Sequence, residues 1–218
     1  MKPAALLFAL VPLSALVGCA DDPPTAVVGI DVAGCDPGTT HGTGVVVDDD
    51  LVLTSAHTLR GARSITVSRD GRDVDATIVA FDPDLDLAYL RADVAGVRPI
   101  PVDSNGVEPG RPATAWVVRG DEVVAVPVTI RRRIRLNTED IYVDADTTRP
   151  GVELHADIEP GDSGGPIVVD GGVAALLWAR SKRTESLAYA IDPDRGRTRI
   201  DGQLAAGDLG DVDLMRCR

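Results

Sequence analysis

Basic charge is scarce in this chain: 22 Lys and Arg stand against 34 Asp and Glu, for a formal net charge of -12. A sequence pI near 4.6 would repel phosphate backbones, so nucleic acid is excluded as a partner. The one basic cluster, Arg131-Arg132-Arg133-Ile134-Arg135, alternates around Ile134 and suits a strand or hairpin with a solvated face. Long hydrophobic runs are also lacking. The apolar stretch Ala4 to Val17 is too short to span a bilayer comfortably, follows Lys2 and ends in small residues, which is the layout of a signal peptide (1–18). Cysteine is rare, with three residues, and neither His41 nor His155 has metal-ligand company, so no metal and no other cofactor is expected. The triplet Asp48-Asp49-Asp50 lacks the ligand spacing of a calcium loop and reads as a charged hairpin turn.

The segment Leu16-Val17-Gly18-Cys19 resembles the lipobox of bacterial lipoprotein signal peptides. That resemblance implies cleavage before Cys19, acylation of its thiol and amine, and firm attachment to a membrane through residues 19–26 as a tether. The protein is then exported to the bacterial cell envelope and lipid-anchored, the alternative being secretion. Setting Cys19 aside leaves Cys35 and Cys217, an even pair in an exported chain, which favours a disulfide joining the two ends of the domain. Closing so long a loop contributes on the order of 4 kcal/mol in the chain-entropy model.

Helical periodicity is missing between Val27 and Ile191, and no internal repeat is visible. Short β-branched runs alternate with Gly, Pro, Asp and Asn, the pattern of an all-β sandwich or barrel. Strands are expected at Val27 to Val32, Gly44 to Val47, Leu51 to Thr54, Ile65 to Ser68, Asp75 to Phe81 and Leu85 to Leu90. A second group is expected at Thr114 to Val118, Val123 to Ile130, Ile141 to Val143, Val152 to His155, Pro166 to Val169, Val173 to Ala179 and Leu187 to Ile191. The Pro- and Gly-rich stretch Arg98 to Pro112 between them reads as a linker. The expected division is a first barrel over about 27–100, a second over about 112–200, and a tail at 201–218 too short to be another domain.

Three motifs carry chemistry. Gly161-Asp162-Ser163-Gly164-Gly165-Pro166 offers a serine with flanking glycines, which leave its Oγ exposed and backbone N–H groups near it. Leu51-Val52-Leu53-Thr54-Ser55-Ala56-His57 places an imidazole just beyond an apolar strand, where it can act as a general base. Asp84-Leu85-Asp86-Leu87-Ala88 sets a carboxylate inside an alternating apolar strand, an expensive place for a charge unless an imidazole N–H partners it. Asp86 is the choice and Asp84 the lesser candidate, since Asp82 and Asp84 flank Pro83 as turn residues.

In their order His, Asp, Ser, these motifs resemble the trypsin-like, chymotrypsin-fold serine peptidases over nearly all of the chain after the leader. The resemblance implies two perpendicular six-stranded barrels with the active site in the cleft between them. It also implies a polypeptide substrate, attack by Ser163, proton transfer by His57, orientation of the imidazole by Asp86, and an oxyanion hole from the N–H groups of Gly161 and Ser163. Departures from the family are equally specific. The cysteines that flank the histidine of animal trypsins are missing around Thr54 to Thr58, and no activation cleavage site supplies an apolar N-terminus to pair with Asp162. Compact length and cysteine usage resemble bacterial trypsin-like and HtrA-like protease domains, without the PDZ extension of the latter. Gly42-Thr43-Gly44 resembles the Gly-Ser-Gly that opens a first-barrel strand in the family.

Substrate preference stays open at this level. By the same likeness Asp157, six residues before Ser163, matches the acidic floor that selects Arg or Lys at P1, or is a solvated loop carboxylate. Trp178 lies on the strand resembling the substrate-pairing strand, with Ala179 where Gly commonly widens the pocket and Leu187 on the opposite wall, which suits a small aliphatic P1 residue. The rival function is a binding module, an envelope lipoprotein holding a peptide in the cleft without turnover.

Overall fold

The computed structural model describes residues 24–34, 38–210 and 212–214. Its twelve strands close into two six-stranded barrels, ordered β1-β2-β3-β6-β5-β4 and β10-β11-β12-β9-β8-β7. The first barrel comprises β1 (Val27–Ala33), β2 (Thr39–Asp48), β3 (Leu51–Thr54), β4 (Ser64–Arg69), β5 (Arg72–Asp82) and β6 (Leu87–Ala92). The second comprises β7 (Pro112–Arg119), β8 (Glu122–Glu139), β9 (Asp146–His155), β10 (Pro166–Val169), β11 (Gly172–Arg180) and β12 (Leu187–Ile191). All neighbouring strands within the barrels whose register is resolved pair antiparallel, and short turns such as Asp70-Gly71 and Gly120-Asp121 join consecutive strands.

Each barrel is filled by the inward face of its strands. Ile30, Leu53, Phe81 and Leu90 fill the first, and Val117, Ile130, Leu154, Ile167 and Leu177 the second, all essentially inaccessible to solvent. Burial of each such side chain contributes roughly 1.5–3 kcal/mol against the entropy of ordering it. Thr43, fully buried on β2, stitches the barrels together: its Oγ1 accepts from Val118 N of β7 at 3.0 Å and donates to Gly161 O at 3.4 Å.

Several expectations are corrected. The strand expected at Ile141 to Val143 does not form; these residues are the tip of the hairpin between β8 and β9. Asp140 Oδ1 accepts from the N–H groups of Tyr142 and Asp144, a local turn that competes with strand pairing, and Val143 sits at φ +65°. The strand expected from Leu85 begins at Leu87, because Asp82 Oδ1 accepts from the N–H groups of Asp84 and Leu85 and closes a turn there. Two helices that the sequence pattern did not indicate follow β12: α1 (Pro193–Gly196) and α2 (Thr198–Ala206). The second returns to the first barrel, burying Ile200, while Gln203 Oε1 accepts from Phe81 N of β5 at 2.8 Å. Only a few apolar positions face inward on so short a helix, so its periodicity is weak.

The basic cluster lies on β8 at a bulge after Ile130. Arg131 and Arg132 reach Glu153 across the sheet, while Arg133 turns to the buried carboxylate of Asp192 and to Ser104 O. Three of the cluster's four arginines are thus paired with acidic partners, two of them sharing Glu153. Of the acidic triplet, Asp49 and Asp50 form the turn between β2 and β3, and Asp50 pairs with Arg91.

Candidate active site

His57 lies on a 3-10 helix (Ala56–Leu59) that starts where β3 ends. Asp86 occupies the turn before β6, in the left-handed region at φ +62°, rather than inside a strand as its apolar neighbours suggested. Aspartate tolerates that region better than most residues, and the turn aims its carboxylate at the 3-10 helix. Asp86 Oδ1 accepts from His57 N at 2.7 Å, and Oδ2 pairs with His57 Nδ1 at 2.8 Å. Asp86 O in turn accepts from Ala56 N at 3.2 Å. Asp84, the lesser candidate, instead pairs with Arg199 at 2.9 Å.

The Asp86 side chain is 1% accessible and that of His57 31%. Burial alone would push the Asp86 carboxyl up, but the His57 charge and hydrogen bond, with Arg149 nearby, hold it below its ordinary value. For His57, burial pulls downward and the Asp86 charge and hydrogen bond outweigh it, leaving the imidazole raised. Both directions describe one coupled pair that favours ionised aspartate beside imidazolium.

Ser163 sits between two tight turns. Asp162 N donates to Glu159 O at 3.1 Å, closing Pro160-Gly161 with Gly161 at φ +101°, and Gly165 N donates to Asp162 O at 3.0 Å, closing Ser163-Gly164 with Gly164 at φ +83°. Both turns carry glycine at the position that needs a positive φ. A Cβ on Gly164 would also stand 2.1 Å from Thr43 O. Thr43 N donates to Ser163 O at 2.9 Å, so the first barrel itself holds the serine. Among the described residues, the N–H groups of Gly161 and Ser163 have no protein acceptor. Ser163 Oγ lies 3.5 Å from Trp178 O, its hydrogen-bond partner here in place of His57. Nucleophile–base contacts of this kind commonly tighten only with substrate in place.

Asp162 is buried and receives a bidentate bond from Arg119 at the end of β7: Nε to Oδ1 at 3.0 Å and a terminal nitrogen to Oδ2 at 2.7 Å. Glu159 N adds a third bond to Oδ2 at 2.8 Å. The buried Asp162 carboxylate is thus partnered by an internal guanidinium. Sequence reading did not single out Arg119, although a charge closing an otherwise apolar strand beside a turn is a visible signal.

The sequence that builds this site matches the trypsin-like peptidase domain family over residues 42–176. The chain belongs to the trypsin-like peptidases. A serine protease of Mycobacterium tuberculosis, Rv3671c, is 38% identical over 171 residues, covering 76% of this chain and 41% of that protein. A probable periplasmic DegP-like serine endoprotease of Halomonas elongata is 29% identical over 186 residues, covering 78% of this chain and 37% of that one. The chain therefore spans well under half the length of these relatives. The crystal structure of the active form of Rv3671c protease superimposes with a TM-score of 0.79 at 27% identity, covering 99% of both chains. This likeness shows the chymotrypsin fold.

The residues proposed for specificity are divided by the structure. Asp157 is exposed, and it lines a cavity of about 440 Å³ together with Leu187, Arg180, Lys182 and Glu185. Two acidic and two basic side chains give that cavity no single sign. Ala179 pairs with Tyr189 of β12 after a bulge in β11, and the Trp178 indole is directed at Asp86, where Nε1 donates to Oδ2 at 2.8 Å. His41 Nδ1 contacts Asp31 Oδ1 at 2.5 Å on the solvent-exposed side of the β1–β2 pair. Cys19, Cys35 and Cys217 lie outside the described residues.

Proposed function

We propose that the chain is a serine endopeptidase acting on polypeptides through Ser163, His57 and Asp86. The observation that carries this reading is the convergence on Trp178, whose indole N–H meets Asp86 while its carbonyl meets Ser163 Oγ. Ser163 Oγ adds to the scissile carbonyl as His57 Nε2 takes its proton, and the carbonyl oxygen becomes an oxyanion received by the N–H groups of Gly161 and Ser163. Collapse breaks the C–N bond, with the His57 proton passing to the leaving amine. Water, deprotonated by His57, then releases the acyl group and restores the serine. Asp86 holds Nδ1 protonated, so that Nε2 is the free base, and stabilises the imidazolium.

The test is incubation of the protein and its Ser163→Ala variant with an unfolded protein substrate, followed by mass analysis of the peptides. Serine-dependent fragments are expected, and their P1 residues decide between basic and small aliphatic preference. Peptide bound without hydrolysis would instead assign the cleft to a binding module.

The Leu16 to Cys19 segment supports export and a lipid anchor on Cys19, with Cys35 and Cys217 joined in the oxidising compartment. Metabolic labelling with a fatty acid, lost in Cys19→Ala, tests the anchor. A mobility shift on reduction, lost in Cys35→Ser, tests the disulfide.

A further inference from the structure

We propose that Trp178 is a positioning residue for the Asp86–His57 pair, its indole N–H fixing the Asp86 carboxylate while the buried guanidinium of Arg149 clamps the ring. This inference rests on the serine-peptidase reading for its kinetic consequences, though not for its geometry.

The hydrogen bonds of Asp86 are fully accounted for. Oδ1 takes the backbone N–H of His57, and Oδ2 takes both His57 Nδ1 and Trp178 Nε1, each at 2.8 Å. With 1% of the side chain accessible, loss of a donor there leaves little room for water to replace it. An indole nitrogen only donates, so Oδ2 must offer it a lone pair. As an ionised carboxylate Asp86 accepts from Nδ1 as well, which leaves Nε2 as the base. Trp178 therefore fixes the orientation of the carboxylate that in turn orients the imidazole.

The ring is held in turn. Arg149 of β9 is almost wholly buried, and its guanidinium carbon stands 5.1 Å from the Trp178 ring centroid. It donates to Asp84 O at 2.6 Å and Pro83 O at 3.4 Å in the turn leading to Asp86, and to Glu139 O at the end of β8 at 3.0 Å, and these carbonyls fix the cation. A terminal nitrogen also lies 3.6 Å from Asp86 Oδ2. Two elements of the second barrel, β9 and β11, thereby brace a carboxylate supplied by the first. The charged groups facing His57 are Asp86, Arg149 and Arg60; those facing Arg149 are Asp86, Asp140, Asp84 and Asp82.

Trp178→Phe keeps an aromatic ring beside Arg149 but removes the N–H together with part of the indole ring system. In the Ser163→Ala background, nitrogen NMR of labelled histidine follows the titration of His57 independently of any activity. Without the indole donor Asp86 becomes a stronger acceptor for the imidazolium, so the His57 titration is expected to move to higher pH. In the Ser163 enzyme, kcat is expected to fall about tenfold with KM unchanged, as loss of one bond to a buried charge implies. The acid limb of kcat/KM should move with the titration. An unmoved His57 titration in a folded variant, or a raised KM with kcat intact, overturns the proposal; the latter would make Trp178 a wall of the substrate site. Should Trp178→Phe fail to fold, the indole proton of Trp178 is read in Asp86→Asn. An upfield move and faster exchange support the bond, and an unchanged resonance refutes it. A shifted titration in a protein that cleaves nothing would leave the positioning role standing and the peptidase reading fallen.

Discussion

Replacing Arg119 with Met should dismantle the oxyanion site without touching Ser163, His57 or Asp86. The Asp162 carboxylate is 1% accessible, and besides the two bonds from Arg119 it accepts one from Glu159 N. Removing one partner of a buried pair typically costs about 3–5 kcal/mol, because the other charge is stranded. Asp162 can escape that cost by turning toward water. Its backbone, however, closes both turns around Ser163, donating to Glu159 O and accepting from Gly165 N. Release of the side chain therefore moves the N–H groups of Gly161 and Ser163 off their common target. Loss of about 3 kcal/mol of transition-state stabilisation corresponds to roughly two orders of magnitude in kcat. Steady-state hydrolysis of a chromogenic peptide, with thermal unfolding measured alongside, separates this effect from global unfolding. Arg119→Lys should fall between the two, since an ammonium keeps the charge but not the two-pronged geometry. A folded Arg119→Met enzyme with unchanged kcat would refute the reasoning.

Asp86→Asn should lower kcat by about 10⁴ with folding largely retained, because an amide N–H facing Nδ1 favours the wrong tautomer; an unchanged rate would remove Asp86 from the mechanism. Activity should rise with pH through the titration of His57, with a midpoint above the ordinary imidazole value of 6.5, since the folded value is raised and only neutral imidazole accepts the serine proton; a flat kcat/KM from acid to neutral pH would contradict this. Gly164→Ala should destabilise the protein by more than about 3 kcal/mol, because the new Cβ meets Thr43 O at 2.1 Å and Thr54 Oγ1 at 2.5 Å while φ is +83°; thermal denaturation checks it.

The barrels were legible because strand formation here is local. Leu51–Thr54, Pro166–Val169 and Leu187–Ile191 form over the bounds that their β-branched runs and turn residues define. Where long-range bonds compete, the reading slipped. Ile141 to Val143 has strand composition, yet Asp140 caps the turn and Ile141 N donates to Pro83 O, a contact between barrels. His57 and Asp86 could be chosen from sequence because a general base and its carboxylate partner are distinctive at apolar strand ends. The braces behind them could not. Arg119 meets Asp162 across 43 residues and Trp178 meets Asp86 across 92, and no local spacing encodes such pairings. Trp178 was read as part of the substrate-pairing strand; its indole lies against Asp86 instead of lining the cavity that holds Asp157 and Leu187.

The most direct measurement is labelling of the full chain and its Ser163→Ala counterpart with a fluorophosphonate probe, which reacts only with an activated serine. Stoichiometric labelling that vanishes in the variant is the predicted result. An unlabelled protein of intact fold would contradict an assembled Ser163–His57–Asp86 centre.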